Sequence, residues 1–208
     1  MYIPEYHRIE DPVLTQTFLK ANPFAILVSS NDGIPFATHL PIITKVEGDS
    51  VTLLGHLAKA NPHWRLMQEA RETLAIFHGP HAYISPSLYE IRETVPTWNY
   101  TAVHIYGKPQ MFNEMPRLRD ILQQMIATFE PAYLAQWNDL SPTYQERTLQ
   151  HIIGFEMLAT KIETKFKLSQ NRTKTEQANV IANLKASDDT VISETGALMQ
   201  QLGLGVKK

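Results

Sequence analysis

Two turn signals set close together limit this chain more than any other feature. Phe24 to Ser30 (FAILVSS) is a buried-strand run, Asn31-Asp32-Gly33 supplies hairpin turn residues, and Pro35 to Lys45 returns as a second strand. Glu47-Gly48-Asp49 then turns into Ser50 to Gly55. Three consecutive antiparallel strands form a meander, and a meander starts a barrel or a sandwich.

The remaining segments fit around it. Asp11 and Pro12 suit the cap and first position of a short helix ending near Ala21, and Asn61-Pro62 caps a second that runs to about Ala70. Thr73 to Phe77 is a strand, followed by a His78-Gly79-Pro80 turn and a short strand over Ala82 to Ile84. Val95 to Gly107 (VPTWNYTAVHIYG) alternates, with Trp98, Tyr100, Ala102, His104 and Tyr106 on one face and Asn99, Thr101, Val103 and Ile105 on the other. That aromatic, hydrogen-bonding face suits a flat ligand, and the strand is expected to run from Tyr100 to Phe112. Met115 to Phe129 and Pro142 to His151 carry a helical period, joined by a long linker that contains Trp137. Ile152 to Phe166 alternates again as the last strand. Helical patterning at Glu176 to Leu184 and Asp188 to Leu202 precedes a loose GLGVKK tail. The fold class is α+β, mainly β, as one main domain with a helical annex.

Composition excludes several functions. There is no cysteine, so no disulfide, thiolate nucleophile or thiolate metal site exists. No run approaches the roughly 18 apolar residues of a membrane span, and MYIPEYHRIEDP lacks the basic start and apolar stretch of a signal peptide. The expected compartment is the cytoplasm. A formal net charge of −2 gives no global attraction to nucleic acid, so DNA binding would need a local basic patch or a dimeric surface. The sequence has no GxSxG, GxxxxGK[ST] or GxGxxG and no paired carboxylates, which removes support for hydrolase, kinase and Rossmann readings. Neither HxH nor HExxH occurs, and no metal site is expected.

Three segments hold the chemically interesting residues. In LLGHLAKANPHW a strand end carries His56, a tight turn carries Lys59 and Ala60, and a helix opens at Asn61-Pro62. Such a turn reads first as an ordinary cap beside a solvated lysine, yet free N–H groups and an ammonium are what a phosphate needs. In ATHLPII, Thr38, Leu40 and Ile42 lie on one side of a strand and His39 on the other, while Pro41 marks an edge or irregular stretch with free backbone groups. His39 reads first as a satisfied histidine of a barrel wall. In KFKLSQNRTK, Lys165, Lys167, Arg172 and Lys174 interleave with Ser169, Gln170 and Asn171. That segment is either a solvated basic turn or a set of donors for phosphate, a ring edge or DNA.

Taken in order, MYIP, ATHLP, GHLAKANP, GPHAYISP, VPTWNY, VH with YG, and KLSQNR resemble the PaiB-type FMN-binding negative transcriptional regulators of the split-barrel flavin-binding superfamily. The likeness runs from Met1 to Arg172, and Leu88 stands where the family usually has tryptophan. It implies a six-stranded, antiparallel, Greek-key-like split barrel with peripheral helices over residues 1–172, and the helical patterning beyond it makes 173–208 a helical C-terminal extension. It also implies a homodimer with flavin sites at the subunit interface. By the same resemblance Thr38, His39 and Leu40 lie beside the flavin, and His56, Lys59, Ala60 and Asn61 hold the phosphate end. Trp98, Asn99, Lys167, Ser169, Gln170, Asn171 and Arg172 complete the FMN pocket. The implied role is a cytoplasmic repressor with a possible DNA operator. An FMN-dependent oxidoreductase or flavin reductase, with His39 or His104 handling protons, and a haem-handling protein are the alternatives on the same fold. No catalytic residue is assigned.

Overall fold

The computed structural model describes residues 1–48 and 50–206, so Asp49 of the second turn and Lys207-Lys208 of the tail lie outside the described residues. The helix α1 (Pro12–Ala21) leads into β1 (Phe24–Asn31) and β2 (Ile34–Pro41), joined where Asp32 and Gly33 take φ of 53° and 80°. Positive φ at both central residues matches the twist of a tight hairpin, which is why Asp-Gly stands there. Next come β3 (Ile43–Glu47), β4 (Ser50–Ala58), α2 (His63–Glu69), β5 (Thr73–Ile84), β6 (Thr97–Gly107) and β7 (Gln110–Phe112). Helices α3 (Met115–Phe129), α4 (Tyr133–Asp139) and α5 (Pro142–Leu149) precede β8 (Ile152–Leu158) and β9 (Lys161–Lys167), and α6 (Lys174–Lys185) and α7 (Thr190–Gln201) follow.

The strands form two sheets, ordered β2-β1-β5-β6-β9 and β3-β4-β8-β7, and every pairing described is antiparallel. The α+β class therefore stands. Six strands were implied by the resemblance; nine occur among the described residues, in two sheets and with no closed barrel.

Several expected strands divide or merge. Pro35 to Lys45 breaks at Ile42, whose N–H turns to Pro23 O at 2.8 Å, so β2 and β3 enter different sheets and two hairpins, β1-β2 and β3-β4, replace the expected three-stranded meander. Lys108-Pro109 divides β6 from β7, because proline cannot donate to the ladder. Ile152 to Phe166 splits at Ala159-Thr160, whose N–H groups go to Val51 O and Tyr106 O, both at 2.8 Å. Conversely, β5 runs unbroken through Gly79-Pro80 where a turn was expected. The linker with Trp137 contains α4, and Gln145 Nε2 bonds Trp137 O at 2.7 Å to fasten it to α5.

Two compact units interleave along the chain. One comprises Gln16–Phe77 and His104–Ile162. Its core gathers Leu54, Phe112, Leu118, Ile121, Met125 and Leu149, with α3 presenting Leu118, Ile121 and Met125 at helical spacing. The other comprises Met1–Thr15, His78–Val103 and Glu163–Lys208. There Thr173 and Glu176 form a capping box at the start of α6, and Gly196 lets α7 approach Leu184 and Lys185 closely. The expected loose tail is tied at Gly205, whose N–H donates to Gln177 Oε1 at 2.9 Å.

Candidate functional site

Within the unit of Gln16–Phe77 and His104–Ile162, β2 pairs with β1 alone, Leu27 opposite Thr38 and Ala25 opposite Leu40. Side chains of a strand alternate, so Thr38 and Leu40 face inward together and His39 faces out. His39 is exposed, with Phe24 as its ring neighbour at 6.3 Å, whereas Leu40 is buried and lies over the space left by Gly55.

The turn after β4 is locked through its backbone. Lys59 N–H donates to His151 O at 2.8 Å, Trp64 Nε1 donates to Lys59 O at 3.1 Å, and Asn61 N–H donates to Ala58 O at 2.9 Å. The side chains of Lys59 and Ala60 remain exposed on this rigid turn. Asn61 faces back to β2: its Nδ2 donates to Thr38 Oγ1 at 3.1 Å, and its Oδ1 accepts the His63 N–H at 3.0 Å. The first N–H of α2 is thereby already taken, and the exposed Lys59 side chain brings an ammonium to the same turn.

His63 completes this cluster. Its Nδ1 lies 2.8 Å from Thr38 Oγ1, its ring sits 5.0 Å from Phe36, and its Nε2 is buried without a partner. The residue is fully buried, and burial lowers its pKa to about 4, so the ring is neutral at physiological pH. The sequence reading passed over His63; its signal is its place two residues after Asn61 at a helix start. His56 is held elsewhere, its Nδ1 3.1 Å from Met125 Sδ on α3, and burial lowers its pKa too. The structure thus brings Thr38 and Asn61 together, with Lys59 on the same turn, and sets His56 against α3.

In the other unit, Trp98 is half exposed beside His81 and Tyr83, at ring separations of 6.1 and 6.0 Å. Asn99 points the opposite way and is fully buried. Its Nδ2 donates to Ser169 Oγ at 3.0 Å while the Ser169 hydroxyl returns a bond to Asn99 Oδ1 at 3.2 Å. Ser169 has a φ of 63°, and Gln177 Nε2 holds the carbonyls of Ser169 and Arg172, each at 3.1 Å. Gln170 caps Leu168 N–H at 2.8 Å, bonds Phe166 O, and meets His7 Nδ1 at 2.8 Å. Arg172 donates to Thr94 Oγ1 at 3.0 Å and lies 3.9 Å over the Tyr89 ring. Lys167 donates to Thr97 Oγ1, and burial followed by the Lys165 charge lowers its pKa. KLSQNR is therefore largely self-satisfied, with Asn171 left exposed. Gln177, Thr94 and Thr97 are partners that spacing along the sequence did not indicate.

The model of a family described as "Putative FMN-binding domain" matches residues 1–161. The chain belongs to this FMN-binding family. It is 39% identical to the Bacillus subtilis (strain 168) protein named "Protease synthase and sporulation protein PAI 2", over 96% of this chain and 97% of that one. The flavocytochrome Anf3 from Azotobacter vinelandii has a similar structure, with a TM-score of 0.59 at 15% identity, covering 79% of this chain and 72% of that one. The FAD and heme binding protein from Mycobacterium smegmatis gives 0.59 at 16%, covering 77% and 73%. At such identities these two establish the fold, that of the split-barrel flavin-binding proteins. The cofactor is FMN, and the donor set fits its phosphate ester: an exposed ammonium at Lys59 and neutral hydroxyl and amide groups at Thr38 and Asn61. Among the described residues no three side chains able to hold a metal ion gather.

Proposed function

We propose that this FMN-binding, PaiB-type protein is a cytoplasmic negative transcriptional regulator that works as a homodimer. The likeness along nearly the full length of both chains to a Bacillus protein named for protease synthesis and sporulation carries this reading. In it, residues 1–172 form the flavin domain and 173–208 its helical extension. Lys59 takes the FMN phosphate, Ala60 and Asn61 line that end, and Thr38, His39 and Leu40 form the wall beside it. In the homodimer, Trp98, Asn99, Lys167, Ser169, Gln170, Asn171 and Arg172 complete the pocket across the two-fold. His56 supports the phosphate turn from the α3 side.

Lys165, Lys167 and Arg172 of KFKLSQNR each donate within their own unit, and this reading gives that turn to the flavin. DNA contact in this reading comes from other surfaces of the dimer. Two assays on the FMN-loaded protein test it: capture of native DNA fragments, and anaerobic NAD(P)H oxidation. Capture of a reproducible set of fragments is the expected result. NAD(P)H turnover with no DNA retained would replace the regulator by an oxidoreductase.

A further inference from the structure

The hydroxyl of Thr38 has two close neighbours, and their chemistry decides which way its proton points. Because Asn61 Oδ1 accepts the His63 N–H, the Asn61 amide is oriented with Nδ2 toward Thr38, where it can only donate. One Thr38 lone pair is thus occupied. His63 Nδ1, at 2.8 Å, either donates to the second lone pair or accepts the hydroxyl proton. Nε2 of the same ring, buried without a partner, favours one of the two. Were Nδ1 an acceptor, the single hydrogen of the neutral ring would sit on Nε2 as an orphaned interior N–H. Were Nδ1 the donor, Nε2 would be a bare lone pair, which is the less costly group to leave unmet. With Nδ1–H donating, both Thr38 lone pairs are filled and only its O–H remains.

We propose that His63 is a positioning residue that makes Thr38 an obligate hydrogen-bond donor to bound flavin, suited to an anionic or carbonyl oxygen and unsuited to a flavin N–H. The inference rests on the FMN reading of this site. It gives His63 a part in cofactor selection without contact with the cofactor.

Two measurements on the full chain test it. Long-range proton–nitrogen correlation on histidine-labelled protein is expected to show His63 protonated at Nδ1 and bare at Nε2. FMN titration is expected to weaken about tenfold for Thr38→Val, the loss of one bond to a polar or charged group, and by a smaller factor for His63→Leu, which leaves the hydroxyl in place but free to turn. The double variant should lose no more than Thr38→Val alone. Thr38→Ser, and His63→Asn with an amide N–H near the place of Nδ1, should bind near wild type. An Nε2-protonated ring, or additive losses, in protein that binds FMN normally overturns the proposal alone. A wild type that takes up no FMN overturns the cofactor reading and removes the recipient with it. If His63→Leu does not fold, the tautomer and the Thr38→Val against Thr38→Ser comparison still decide.

Discussion

A hydroxyl, an amide and an imidazole at Thr38, Asn61 and His63 hold one another in a single arrangement, while Lys59 beside them is held only by its backbone. The contrast divides labour between shape and charge. An exposed ammonium on a rigid turn gives little to folding and can give much to an anion. Lys59→Ala should weaken FMN about tenfold or more yet leave riboflavin, which lacks the phosphate, nearly unchanged. Calorimetric titration with both ligands checks this, and equal losses would remove the phosphate role. His63 also sets a pH dependence. The buried ring titrates at about 4 and the unfolded one near 6.5, so between those values the unfolded chain binds the proton that the folded chain refuses. Its contribution is complete above about pH 6.5 and is lost as pH falls through 4; His7 and His56, also lowered by burial, act with the same sign. Urea unfolding at pH 7 and pH 5 should show lower stability at pH 5, and His63→Gln should narrow the gap.

At the scale of elements, close approach between strands is set by residues that lack a side chain. A Cβ on Gly154 of β8 would sit 2.2 Å from the Phe112 ring, and Phe112 of β7 pairs with it in register and is buried. Gly154→Ala should therefore cost about 1–3 kcal/mol by overpacking, read as a lower urea midpoint, and Phe112→Leu on that background should recover part of the loss. Turns with local chemistry were legible: Asn31-Asp32-Gly33 and the cap of α1 follow from a few adjacent residues. Breaks decided by distant acceptors were not. Ala159-Thr160 parts β8 from β9 because Val51 and Tyr106 offer carbonyls there, and nothing in the alternation from Ile152 to Phe166 announces it. The α4 helix stayed hidden because its seven residues show one buried aromatic, Trp137, and too short a period to register.

For the whole molecule, exposed apolar surface bears on assembly. Tyr83, Val95 and Trp98 are 51, 72 and 53% exposed in one unit, which is costly to leave in water when such residues cluster. Light scattering should give twice the monomer mass with one FMN per chain, as expected of a closed two-fold assembly. A monomer that binds FMN normally would defeat the dimer.

The sequence by itself determined the α+β class, the first hairpin, the family and its cofactor, because each is written in short-range pattern or in contiguous motifs. It did not determine which polar groups remain available. Ser169 and Gln170 read as donors in the sequence, and the tertiary structure pairs them inside one unit; His63 looked incidental, and the structure buries it against Thr38. Hydrogen-bond satisfaction depends on what residues far apart in the chain bring within 3 Å of one another. Only folding decides that.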